Sequence, residues 1–309
     1  MASDELGTVL ALIKEMELPA LEKGGAADVA SLRNVLEMDT SPLPEGTSRI
    51  EVSGPVRGEW LATQGCDPDR RLLYLHGGGY VAGSPASHRQ MAGRLAAVGG
   101  CAVLLIDYGL APEKRFPVAV DDAVAAWEWM LANGPNGGVS AVNAFVAGDS
   151  AGGGLTLALL LALRDRGLRM PDAACAISPW ADLTMSGASM ETRAGRDPMV
   201  QREFLNWMAD LYLDGASPRE PLASPLFGDF KGLPPLLIQV GDDEVLLDDS
   251  VRVAENAKAA GVEVELEVWP EMIHVWHAFW PILPEAREAL DGMAAFIKKH
   301  SAVAAQAGV

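Results

Sequence analysis

The run Val146-Ala147-Gly148-Asp149-Ser150-Ala151-Gly152-Gly153-Gly154 decides the fold. It continues an apolar stretch, Ala144 to Ala147, short enough for a buried strand, and opens a helix-like stretch from Ala151 to Arg166. A Gly-x-Ser-x-Gly at such a junction puts the serine on a sharp, strained turn with its hydroxyl projecting above a sheet. Glycines two residues to either side leave the backbone room to turn. The helix N-terminus adds free N–H groups and a positive dipole end beside the serine. The chain holds no Gly-x4-Gly-Lys, so the turn does not read as a phosphate loop.

Outward from that turn the same alternation repeats. Apolar runs at Leu72 to Leu75, Val103 to Ile106, Ala174 to Ile177 and Leu236 to Val240 are bounded by Gly, Pro or Asp. Helical stretches separate them at Ser87 to Ala97, Val118 to Ala132 and Asp249 to Ala260, with another from Glu285 to Lys299. Parallel strands need such crossovers, so this pattern predicts an α/β fold with a largely parallel sheet and helices on both faces. Arg49 to Val52 and Glu59 to Ala62 read as an antiparallel hairpin extending the sheet to about eight strands. At the far end Val262, Val264, Leu266 and Val268 alternate with Glu263, Glu265 and Glu267. That period of two predicts an edge strand with one wet face, protected by its acids or joined to its copy in a homodimer.

Two stretches escape the alternation, the first 45 residues and Thr184 to Pro221. Both are expected to fold over one end of the sheet. They divide the chain into 1–45, 46–183, 184–221 and 222–309.

Composition narrows the function. With 49% hydrophobic residues in 309 the chain can bury a sizeable core, which disordered sequences cannot. Its net charge of −18 and lack of a basic cluster exclude a phosphate-tracking nucleic-acid binder and adsorption to anionic membrane. No apolar run approaches the roughly 18 residues of a spanning helix. Asp4 and Glu5, with no basic residue before an apolar stretch, do not read as an export signal, so a cytoplasmic location is expected. Cys66, Cys101 and Cys175 are odd in number and far apart, which suits reduced packing residues.

His76-Gly77-Gly78-Gly79-Tyr80 ends the strand at Leu72 to Leu75. Consecutive glycines let backbone N–H groups approach a substrate oxygen, forming an oxyanion hole with the N–H of Ala151. His76, directly before the donors, reads as a loop anchor. A serine needs a base, and where the order is serine, acid, histidine, His274, His277 and His300 remain. His274 lies nearest the end of the last strand. The acid is expected after Leu236 to Val240, in Gly241-Asp242-Asp243-Glu244-Val245-Leu246-Leu247-Asp248-Asp249, where spacing does not choose among four aspartates. Asp248 or Asp249 is expected to cap the next helix.

Taken together, HGGGY at His76, GDSAGG at Gly148, the DxxLAPE run from Asp107 to Glu113, SPWADL at Ser178, GDDEVLLDD at Gly241 and MIHVWH at Met272 resemble the bacterial hormone-sensitive-lipase family of carboxylesterases. The resemblance implies the α/β-hydrolase fold, with a helical cap formed by an N-terminal part at 1–45 and an insertion at 184–221 over a catalytic domain in two parts at 46–183 and 222–309, and often a dimer. It makes Ser150 the nucleophile, Asp243 the acid opening a D-x-x-L segment, and His274 the base. Two of Gly77, Gly78 and Gly79, with Ala151, would form the oxyanion hole. It implies hydrolysis of short-chain acyl esters through an acyl-enzyme, with no metal or organic cofactor.

Gly109 and Lys114 stand where that family usually has arginine and histidine, which puts the local loop and the pocket wall in question. Tyr80, Trp207, Tyr212 and Val275 are candidate pocket residues. A lactonase or amidase would use the same triad. A ligand-binding protein on this fold would be expected to have lost part of it.

Overall fold

The computed structural model describes residues 2–16, 29–37 and 43–301; stretches 17–28 and 38–42 of the expected N-terminal cap lie outside the described residues. Eight strands form one sheet: β1 (Thr47–Ser53), β2 (Arg57–Thr63), β3 (Asp67–Leu75), β4 (Cys101–Ile106), β5 (Asn143–Asp149), β6 (Ala173–Ile177), β7 (Leu236–Gly241) and β8 (Val264–Trp269). Their spatial order is β1-β2-β4-β3-β5-β6-β7-β8. β2 runs antiparallel to both neighbours, and every pairing from β4 to β8 is parallel, so the hairpin and the parallel sheet stand as the sequence predicts.

Helices α1 (Glu5–Glu15) and α2 (Val29–Leu36) precede the sheet. Then come α3 (Pro85–Gly99), α4 (Val118–Ala132), α5 (Ala151–Asp165), α6 (Ser189–Thr192), α7 (Arg202–Leu213), α8 (Leu247–Ala259) and α9 (Pro284–Lys299). Strand alternation divides the core. Leu73 and Leu75 of β3 pack with Trp127 of α4, Leu159 of α5 and Val253 of α8, while Leu72 and Tyr74 pack with Met91 of α3 and Leu290 of α9. Both faces are covered, which is why the central strands read as unbroken apolar runs. Among the described residues no helix is long and apolar enough to cross a membrane.

From β3 the chain moves to β4 on one side and later returns to β5 on the other. This reversal of strand order opens a crevice beyond the carboxyl ends of β3 and β5, where open α/β sheets bind ligands. The glycine loop at His76 follows β3 and Ser150 follows β5, so the topology brings the two motifs together.

β8 lies at the edge, as the alternation predicts, but its acidic face is only partly wet. Glu263 and Glu265 pair with Lys299 at the surface. Glu267 instead accepts hydrogen bonds from Gln239 Nε2 at 2.8 Å and Trp269 Nε1 at 3.1 Å. Asp248 and Asp249 sit in the first turn of α8 and do not cap it. Asp249 accepts from the Ala181 and Asp182 N–H groups and Asp248 from Ser189 N–H, so both tie α8 to the segment after β6.

Candidate active site

Ser150 joins β5 to α5 at φ 53° and ψ −121°, a left-handed conformation that costs a non-glycine residue energy. Its flanking glycines are required by close approach. A Cβ on Gly148 would lie 2.3 Å from the Gly152 carbonyl oxygen, and one on Gly152 only 2.0 Å from that of Leu75.

His274 follows β8. Its Nε2 stands 3.0 Å from Ser150 Oγ, and its Nδ1 lies 2.8 Å from Glu244 Oε2. The acid at the histidine is therefore Glu244, and the expectation of Asp243 is corrected. Asp243 turns the other way, to an ion pair with Arg196, while its N–H donates to the Met272 carbonyl. The Gly241–Glu244 turn, closed by the Glu244 N–H on the Gly241 carbonyl, directs the next side chain inward.

The Glu244 side chain is fully buried. Its Oε1 accepts from Ser178 Oγ at 2.7 Å and Gly241 N–H at 2.6 Å. Ser178 Oγ also accepts from Val275 N–H at 3.2 Å, so the end of β6 holds acid and histidine together. A carboxylate only accepts, so the His274 proton sits on Nδ1 and the Nε2 lone pair is free to take the serine proton. Burial opposes charging of His274, but the hydrogen bond and charge of Glu244, helped by Asp197 and Asp149, raise its pKa above the ordinary value.

The other histidines have different work. His277 is buried, donates through Nε2 to Gln239 Oε1 at 2.9 Å, and is pushed by burial down to about 3. His76 is likewise held to about 3 by burial; its Nδ1–H donates to the Gly77 carbonyl and its ring stacks on Tyr108 at 4.2 Å. It anchors the loop, as the sequence suggests.

Gly77 is not a free donor, which narrows the expected set. Its N–H points at His88 Nε2, 3.2 Å away. The N–H groups of Gly78, Gly79 and Ala151 have no partner among the described residues. His88 escaped the sequence reading because nothing before folding connects α3 to this loop. Met208 escaped it too. An amphipathic methionine reads as packing, yet its thioether lies against Gly79, where an added Cβ would come within 2.0 Å of the sulfur.

Of the candidate pocket residues, Tyr80 and Tyr212 are buried and stacked face to face at 4.0 Å, and Trp207 is half-buried against Phe204. Val275 is 9% exposed at φ 49°. At the altered loop, Gly109 N–H donates to Asp122 Oδ2. Arg33 of α2 anchors the same loop through Glu113 and the carbonyl of Ala111, and reaches the glycine loop through the carbonyl of Val81. Among the described residues no group of three His, Cys, Asp or Glu is placed to hold a metal ion.

The family profile of the alpha/beta hydrolase fold matches residues 72–278. The chain belongs to that family. An acetyl-hydrolase of Streptomyces hygroscopicus is 50% identical over 246 residues, 79% of this chain and 80% of its own. A crystal structure of an esterase from the bacterial hormone-sensitive lipase family is 43% identical, with TM-score 0.89, covering 98% of this chain and 100% of its own. The esterase EstE5, soaked with p-nitrophenyl butyrate, is 44% identical with TM-score 0.90 over the same shares. The resemblance in the motifs thus extends across the whole fold, and the chain is a carboxylic ester hydrolase of the hormone-sensitive-lipase branch. In this hydrolase the serine, the histidine and the paired N–H donors occupy the ends of β5, β8 and β3.

Proposed function

We propose that Ser150 attacks the carbonyl of short-chain acyl esters, with His274 as general base and Glu244 as the acid that orients it. The observation that carries this reading is the continuous chain Ser150 Oγ, His274 Nε2, His274 Nδ1, Glu244 Oε2, with links of 3.0 and 2.8 Å. His274 takes the serine proton as the oxygen attacks. Glu244 stabilises the imidazolium. The oxyanion is received by the N–H groups of Gly78, Gly79 and Ala151, each such donor being worth about 10² to 10³ in rate. His274 then protonates the departing alcohol, water repeats the cycle on the acyl-enzyme, and a carboxylic acid leaves. No step calls for a metal or an organic cofactor.

The described residues before 46 and the insertion 184–221 serve as a cap over the catalytic parts, 46–183 and the described residues from 222 on. Val9 and Ile13 of α1 bury against Met272, Ile273 and Trp276 around the histidine, and Leu205 and Met208 of α7 join the core beside the serine. Met208 against Gly79 limits the room beside the oxyanion hole. This favours acetyl to butyryl groups, in line with the names of the similar acetyl-hydrolase and of the butyrate-soaked esterase. Of the candidate pocket residues, Trp207 and Val275 keep some exposed surface and wall that space, while Tyr80 and Tyr212 are buried in their own stack. The free edge of β8, with Val268 41% exposed, pairs two copies into a homodimer.

The test is p-nitrophenyl ester hydrolysis from acetate to palmitate beside Ser150→Ala and His274→Ala. Turnover confined to short chains and lost in both variants is the expected result. Activity surviving Ser150→Ala would overturn it. A lactone or amide outpacing every ester would move the assignment to another bond type.

A further inference from the structure

The oxyanion donors come from two pieces of chain, Gly78 and Gly79 after β3 and Ala151 at the start of α5, so their spacing must be set by something that touches both pieces. Asp149, next to the nucleophile, has its carboxylate packed on Gly77, where a Cβ would lie 2.2 Å from Oδ2. That carboxylate is buried and accepts from Tyr74 Oη at 2.8 Å. Among the described residues one side chain reaches both pieces, through a single nitrogen that accepts from the Gly77 N–H when it is unprotonated and donates to Asp149 when it is protonated. His88 Nε2 lies 3.2 Å from the Gly77 nitrogen and 3.3 Å from Asp149 Oδ2.

The ring itself is fixed from behind. Ser84 caps α3 through a reciprocal box with Ser87, and Ser87 Oγ lies 2.9 Å from His88 Nδ1. The helix start thereby aims Nε2 into the gap between glycine loop and elbow.

We propose that His88 is a positioning residue for the oxyanion hole, latching the Gly77 end of the glycine loop to the Asp149 shoulder of the serine elbow. It touches no substrate. It acts through the distance between the Gly78 and Gly79 donors and that of Ala151, and so on the transition state more than on the bound ester. This rests on the reading of those donors as the oxyanion hole of a Ser150 enzyme, and a Ser150→Ala variant that stays active would signal failure of that reading separately.

The experiment compares wild type, His88→Leu, His88→Gln and His88→Asn, measuring kcat and KM on p-nitrophenyl butyrate, inhibition by an alkyl trifluoromethyl ketone, and Tm. The ketone forms a tetrahedral adduct with the serine, so its affinity reports the hole directly. His88→Leu removes the polar contact to either piece; misplacing donors by a fraction of an ångström to 1 Å costs about 10- to 100-fold in kcat, with KM within about threefold. Ketone affinity falls by a similar factor. A glutamine amide accepts from Gly77 and donates to Asp149, so His88→Gln stays within about fivefold of wild type. Should His88→Leu not fold, His88→Asn, whose shorter amide reaches one partner only, carries the comparison: kcat below that of His88→Gln at equal Tm supports the latch. The proposal is overturned if His88→Leu keeps kcat within threefold, if the loss falls on KM alone, or if the glutamine and asparagine variants lose equally.

Discussion

Replacing Glu244 by glutamine tests the corrected acid most sharply, because the change is isosteric and every contact of the carboxylate is known. Oε1 receives two donors, Ser178 Oγ and Gly241 N–H, so the amide oxygen must stay there. The amide nitrogen then lands where Oε2 met His274 Nδ1 at 2.8 Å. A nitrogen that donates forces Nδ1 to accept, moves the ring proton to Nε2, and leaves no lone pair for the serine hydroxyl. Flipping the amide restores the useful tautomer but confronts two buried donors with an NH2. At about 1–3 kcal/mol per unsatisfied group, that costs about 2–6 kcal/mol. Loss of the carboxylate charge beside the imidazolium adds to it. The expected fall in kcat is about 10³- to 10⁴-fold, equivalent to about 4–5 kcal/mol of transition-state stabilisation. Asp243→Asn removes only the pair with Arg196, whose side chain is 44% exposed, so kcat should stay within about threefold. Initial rates of p-nitrophenyl butyrate hydrolysis at pH 8 decide between them. A crippled Asp243→Asn beside an active Glu244→Gln would refute the assignment.

Three further outcomes follow from the same geometry. The base must be neutral to act and its pKa is raised, so the acid limb of kcat/KM against pH should have its midpoint above 6.5; a midpoint below 6 in a pH 5–9 profile contradicts the environment described for His274. Arg33→Ala loses two hydrogen bonds to loop carbonyls and an ion pair with Glu113 whose partners are 31% and 61% exposed. After discounting that pair for solvent, about 1–2 kcal/mol remains, a drop of roughly 1.5–3 °C in Tm by calorimetry, and an unchanged Tm would mean that α2 does not hold the loop. If β8 pairs two copies, sedimentation of wild type should give twice the chain mass and Val268→Lys a single-chain mass; a wild-type monomer at micromolar concentration removes the edge from consideration.

The sheet was legible because each central strand is a short apolar run closed by Gly, Pro or Asp, and burial on both faces leaves no competing period. Ser150 and His274 were legible for a related reason, since both sit at chain positions fixed by a strand end. The acid was not. Asp242, Asp243 and Glu244 are neighbours of one chemical class, and which of them faces inward depends on the turn from Gly241 to Glu244 and on Ser178, 66 residues away. Gly77 failed as a donor for a similar reason, its N–H being taken by a histidine from another element. Asp248 and Asp249 looked like caps because local sequence favours that use, while their carboxylates serve backbone N–H groups of the segment after β6. Local chemistry was readable; the choice of partner required the folded neighbourhood.

Ser178 couples the active centre to complete folding. One hydroxyl joins the acid to the backbone of the residue after the histidine, so the working centre exists only where pieces separated by about a hundred residues have met. A polypeptide stopped before β8 has the serine but nothing to activate it. A chain cleaved in a surface loop would regain turnover only if its halves reassociate in register. Ester hydrolysis thus doubles as a readout of complete assembly, silent until the final strand is seated.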